Sequence, residues 1–156
     1  MKRIISAILL VLCLMSLCAC KEEQNTAADI DIQAVKKDII EKVKIENSMD
    51  LGKERLLALY GIEEADVKDS ACFMTMGGTF ADEIILVKAN DKDAADRVEA
   101  CLDAKLEQVL NQSKNYSPED YAIYQEINVL REGDTLALFI HKEHKAMQEI
   151  FENSKG

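Results

Sequence analysis

Apolar residues recur at helical spacing from Asp31 onward, at Ile32, Val35, Ile39 and Val43, with Lys36, Lys37, Asp38 and Lys42 between them. Steps of three and four residues put the apolar set on one stripe of a helix and the charges on the other side. Leu56, Leu57 and Leu59 predict a second helix over Lys53–Tyr60, and Gly61 supplies its stop. The pattern then shortens. Val67–Met76 and Glu83–Ala89 are apolar runs on either side of Gly77-Gly78, which predicts a hairpin. Ile84-Ile85-Leu86-Val87 is apolar on both parities, the mark of a central strand covered on both faces.

Asn90 or Asp91 can cap a long helix whose stripe is Ala94, Val98, Cys101 or Leu102, Leu106 and Val109, fading near Ser113. Ser117-Pro118-Glu119-Asp120 starts a brief one: a capping serine, proline in the first turn, then acids. Glu126–Leu130 and Thr135–His141 bracket Glu132-Gly133-Asp134 as a second hairpin. A last helix over Glu143–Asn153 gathers Met147, Ile150 and Phe151 on one side. The order predicts an α+β domain: N-terminal helices, then two ββα units forming one antiparallel sheet with the helices packed on one face.

Ahead of this domain the pattern is different. Lys2 and Arg3 precede an uncharged stretch from Ile4 to Cys20, the layout of a secretory signal. At 16 residues, Ile4–Ala19 falls short of the roughly 20 needed to span a bilayer. Leu17-Cys18-Ala19-Cys20 resembles the lipobox of bacterial lipoproteins, which implies a diacylglyceryl group on the Cys20 thiol and cleavage just ahead of it. Two acyl chains give stable attachment where one gives marginal binding. The expected organisation is therefore a signal peptide at 1–19, the lipidated cysteine and a flexible tether at 20–29, and one globular domain at 30–153. As a coil the tether reaches about 17 Å.

Charge narrows the partners. The chain has 19 Lys+Arg against 29 Asp+Glu, a net −10, and loss of Lys2 and Arg3 would take it to −12. Such an excess excludes a nucleic-acid partner, which requires a basic face. It also predicts no electrostatic grip on anionic lipid beyond the anchor. Hydrophobic residues at 48 % and charged residues at 31 % exclude wholesale disorder.

Leu59-Tyr60-Gly61-Ile62 followed by Asp66-Val67, then Asp82-Glu83-Ile84 leading a strand, resembles an uncharacterised lipoprotein family of clostridial-type bacteria, the domain of unknown function 4358. Tyr116-Ser117-Pro118 and the strand from Gly133 to Ile140 are similar to its second half, so the likeness covers about residues 30–152. The resemblance implies a small exported lipoprotein domain and brings no activity with it.

Candidate chemistry is sparse. His141, Glu143 and His144 are possible metal ligands, but the His-x-x-His spacing straddles a predicted strand-to-helix boundary and no further ligand is indicated, so two solvated loop histidines are the plainer expectation. Asp91, Asp93 and Asp96 invite calcium, yet Ala95, Asp96 and Leu102 stand where an EF-hand loop needs an oxygen ligand, Gly and Glu; helix capping explains them more simply. Cys72 and Cys101 could form a disulfide outside the cytoplasm, against the expectation of two buried free thiols. Tyr116, Tyr121 and Tyr124 could make a sugar platform, although Tyr121 and Tyr124 at helical spacing suit inward packing; Met74 and Met76 read as core and turn. No nucleophile elbow, phosphate loop or dinucleotide fingerprint is present, so no catalytic residue, metal or cofactor is assigned. The expectation is a non-enzymatic binding module on the extracytoplasmic face of the cell membrane, held there by Cys20, with an envelope protein or cell-wall component as partner. A small-ligand receptor for a transporter and an envelope-polymer hydrolase are the alternatives.

Overall fold

Asp31 starts the first element: its carboxylate accepts from the N–H groups of Gln33 and Ala34 at 3.0 and 3.1 Å, satisfying donors that the first helical turn leaves open. The computed structural model describes residues 29–76 and 80–155. The predicted signal segment, Cys20 and the tether as far as residue 28 lie outside them. Asp29, expected at the end of the tether, already belongs to the fold through an ion pair with Lys88.

Helix α1 (Ile32–Val43) buries Ile32, Val35 and Ile39. After β1 (Met49–Leu51) comes α2 (Lys53–Tyr60), closed by Gly61 at φ 66°, a left-handed conformation that glycine adopts without strain. A 3-10 turn (Glu64–Asp66) leads to β2 (Val67–Ser70) and β3 (Cys72–Thr75). Both pair antiparallel with β4 (Asp82–Ala89) in one register, Ser70 opposite Val87 and Phe73 opposite Ile84. They are thus one run interrupted at Ala71, whose N–H still donates to the Leu86 carbonyl at 2.9 Å. This is the first expected hairpin.

The long helix α3 (Lys92–Tyr116) is capped by Asp91 and runs three residues past the predicted fade. Helix α4 (Pro118–Tyr124) has proline in its first turn, but the Ser117 side chain makes no capping hydrogen bond. The second hairpin joins β5 (Leu130–Glu132) to β6 (Thr135–Ile140); β5 starts four residues later than expected, so Glu126–Val129 stay unpaired. Helix α5 (His144–Asn153) closes the described chain. The order across the sheet is β1-β3-β4-β6-β5, with β2 also on β4, and every pairing is antiparallel.

The α+β class and the antiparallel sheet match the expectation; the placing of all helices on one face does not. Ile85 and Val87 of β4, with Leu136, Leu138 and Ile140 of β6, pack into a core with α2, α3 and α4. Ile84 and Leu86, with Ala137 and Phe139, pack into a second core with α1 and α5. Because strand side chains alternate, two adjacent strands apolar on both parities need a layer on each side. The helix stripe of Ile32, Val35 and Ile39 supplies the second cover. The two ββα units are there, β2 and β3 with β4 and α3, then β5 with β6 and α5; β1 adds a strand from between α1 and α2, and α4 stands between the units. No helix among the described residues is long and apolar enough to cross a membrane.

Leu102 and Ile39 are fully buried on opposite sides of the sheet. Leu102→Ala and Ile39→Ala are each expected to lower unfolding free energy by about 2–5 kcal/mol in urea titrations. A loss below about 0.5 kcal/mol from Ile39→Ala would remove α1 from the core.

Candidate functional site

Neighbouring residues of β4 point to opposite faces, and at its first two positions this separates two carboxylates with different surroundings. Glu83 belongs to the face of α2 and α3. Its carboxylate receives the Tyr60 hydroxyl and lies 2.9 Å from Lys105 Nζ, whose ammonium also stands 5.1 Å from the Tyr60 ring centre. Burial, then the Glu83 charge, pushes the Tyr60 hydroxyl far above its ordinary value. This group is closed on itself. It joins α2, β4 and α3.

Asp82 belongs to the other face. The Thr75 hydroxyl donates to Asp82 Oδ2 at 2.6 Å across the hairpin, and His141 Nε2 lies 3.9 Å from the same oxygen. Thr75 ends β3, Asp82 begins β4 and His141 follows β6, so the three side chains form a row across one end of the sheet. His141 Nδ1 accepts the Glu143 N–H at 2.9 Å. That bond places the proton of the neutral imidazole on Nε2.

Above this row runs a cleft of about 990 Å³. Its walls are α1 with Lys44–Glu46 on one side and His141 to Ser154, including α5, on the other; Asp120, Ile123 and Tyr124 of α4 close the end over the row. Seven carboxylates line it against three lysines: Asp31, Asp38, Glu46, Asp82, Asp120, Glu143 and Glu149, with Lys42, Lys44 and Lys142. Tyr124 is buried, and its hydroxyl is pushed up to about 12 by burial and then by the charges of Asp120, Asp82 and Glu83.

Chemically, the row holds no hydroxyl paired with the imidazole. The Thr75 proton is directed at a carboxylate, not at an imidazole, and the one lone pair of His141 is occupied by a backbone N–H. What the cleft presents instead is fixed donors and acceptors in an acidic setting.

A family model described as Domain of unknown function (DUF4358) matches residues 41–141. The chain belongs to the DUF4358 family. No curated protein and no solved structure matches it. The DUF4358 match is narrower than the stretch from 30 to 152 expected from the motifs, yet it takes in Thr75, Asp82, Asp120, Tyr124 and His141. Most of α1 and all of α5, the long walls of the cleft, lie outside it. Of the family-like motif residues, Tyr60 and Glu83 form the closed polar group. Asp66, buried, takes Arg97 Nε and Nη2, and these hydrogen bonds hold its carboxyl below the usual range.

The remaining candidates are dispersed. Cys20 is outside the described residues. Cys72 and Cys101 are free thiols; Cys72 donates to the Leu86 carbonyl at 3.4 Å and Cys101 to that of Gly61 at 3.5 Å. Burial pushes the Cys72 thiol up to about 12 and raises that of Cys101 as well, so neither is activated. The histidines are not solvated as expected: His141 and His144 are both buried, because β6 carries the first to the sheet end and α5 starts at the second. Among the described residues, no three His, Cys, Asp or Glu side chains are placed to hold a metal. Asp91 caps α3, and Asp96 pairs with Arg131 at 2.6 Å. Tyr116 is exposed while Tyr124 is buried, so the tyrosines make no common platform; Met76, expected in the core or turn, is 79 % exposed. Thr75 and Asp120 are not among the site candidates read from the sequence; Tyr124 is, and its expected inward packing matches its burial. The hairpin register brings Thr75 opposite Asp82, and the sequence predicts the hairpin without that register.

Burial lowers both histidines from their ordinary 6.5, so the unfolded chain binds the extra protons. Their contribution is complete above pH 6.5 and is lost as pH falls through the depressed values. Melting temperature should therefore decline below pH 6.5, before carboxylates titrate near about pH 4, and less steeply in His141→Gln; a flat profile in that window would contradict the burial. Glu83→Gln leaves Lys105 buried without its counter-charge and should cost about 3 kcal/mol in urea titration. Adding Lys105→Met should recover part of it.

Proposed function

We propose that this DUF4358 protein is an exported lipoprotein, anchored through Cys20 on the extracytoplasmic face of the cell membrane, whose domain is a non-enzymatic binding module using the cleft between α1 and α5. The observation that carries the binding role is the closed state of the Thr75–Asp82–His141 row: hydroxyl on carboxylate, imidazole lone pair on backbone N–H. A hydroxyl nucleophile activated by histidine needs the two turned toward each other. The anchor rests on the two early cations, the short apolar stretch and Leu17-Cys18-Ala19-Cys20. An acidic cleft on an acidic domain favours a partner or ligand of positive charge.

Labelled palmitate should enter the wild-type protein and not Cys20→Ser, and the variant should be released from membranes. Equal retention without label would end the lipoprotein assignment. For the cleft, a photo-cross-linking residue at Glu149 on its rim should give a discrete adduct in cells. The same residue at exposed Gln112 on α3 should not. Absence of any adduct from Glu149 would overturn the binding role.

A further inference from the structure

Two buried donors at the closed end of the cleft have no protein acceptor among the described residues. Tyr124 is 4 % exposed, and its hydroxyl makes no hydrogen bond to any described residue, though it lies among the cleft carboxylates. His141 is 6 % exposed; with Nδ1 accepting from Glu143, its Nε2–H faces Asp82 Oδ2 at 3.9 Å, beyond hydrogen-bond length. Neither atom is sealed from solvent, since no fully enclosed side-chain nitrogen or oxygen among the described residues lacks a partner. Both residues line the cleft.

Asp82 is the complement. Its side chain is 24 % exposed, and among the described residues it has a hydroxyl as donor and no lysine or arginine within ion-pair distance. His141, lowered by burial, is neutral at neutral pH and does not compensate it. Glu83, one residue along, has Lys105. A largely buried carboxylate without a cation is unfavourable unless something else supplies the charge.

We infer that this end of the cleft is a subsite for an aminoacyl group, an α-ammonium with a neutral carbonyl beside it. The ammonium sits against Asp82 and Asp120, and the carbonyl oxygen accepts from Tyr124 and His141 Nε2. Spacing selects this chemistry. An acceptor and a donor of the protein 3.9 Å apart need a ligand donor and acceptor only a few bonds apart, as where one carbon joins an ammonium to a carbonyl. A free amino acid is disfavoured, because its carboxylate would meet seven acids against three lysines. A simple diamine leaves both donors unmatched, and a neutral sugar leaves Asp82 without a cation. The group can come from a small aminoacyl amide or ester, or from the N-terminus of a peptide.

This inference rests on the cleft being a binding site, and calorimetric titration of the full chain in detergent tests it. The probes are alaninamide, tri-alanine amide, N-acetylalaninamide and alanine. Alaninamide and tri-alanine amide should bind; N-acetylalaninamide and alanine should bind at least about tenfold more weakly. Asp82→Asn and, as the smaller change, Tyr124→Phe should each weaken alaninamide by about tenfold. Tri-alanine amide binding about tenfold tighter than alaninamide assigns a peptide N-terminus, and parity assigns a small aminoacyl compound. Binding of N-acetylalaninamide equal to that of alaninamide, unchanged affinity in both variants, or no binding of any probe overturns the subsite. A Glu149 adduct together with silent probes would refute the aminoacyl group and leave the binding role standing.

Discussion

The pairing of β4 with β6 carries the rest of the molecule. Six rows, from Glu83 opposite Ile140 to Lys88 opposite Thr135, form the middle of the sheet. Almost every side chain in them is buried, on one face or the other. Burying one large aliphatic or aromatic side chain is worth about 1.5–3 kcal/mol. With one helical layer missing, Ile84, Leu86, Phe73 and Phe139 would return to water together. The two cores are therefore coupled through shared strands, although their side chains never meet.

The same pairing sets the chemistry at the strand ends. Where the apolar rows stop, β4 offers Asp82 to one face and Glu83 to the other, a consequence of strand alternation alone. Glu83 meets a lysine from the long helix and becomes a structural tie. Asp82 meets a threonine from its hairpin partner and a neutral histidine from the strand on its other side. Two adjacent acids thus have unrelated roles. The step between them is one residue.

Local periodicity was a good guide where local forces decide. The helices beginning at Ile32, Lys53 and Lys92 follow from apolar spacing plus Asp31, Gly61 and Asp91 as caps and stops. Both hairpins follow from turn glycines between apolar runs. The double parity of Ile84–Val87 was visible too, and it already contradicted a sheet covered on one side; α1 was the unrecognised cover. His141, Tyr124 and Thr75 were harder. Each gains its burial from elements distant in sequence, brought together by the β4–β6 register and the course of α4. Spacing along a chain carries no record of such a meeting, and for the same reason Met76 and Tyr116 gave no sign of their exposure.

The Asp29–Lys88 ion pair has a mechanical meaning. Asp29 is paired with Lys88, and Ile30 is sunk in the core beside α1, at the opposite end of β4 from Asp82. Six residues of strand separate the two ends, about 20 Å. Tension arriving along the N-terminal segment would load the Asp29–Lys88 contact and the Ile30 plug first. The far end of the sheet, with its row of Thr75, Asp82 and His141, would be spared until that fastening gave way.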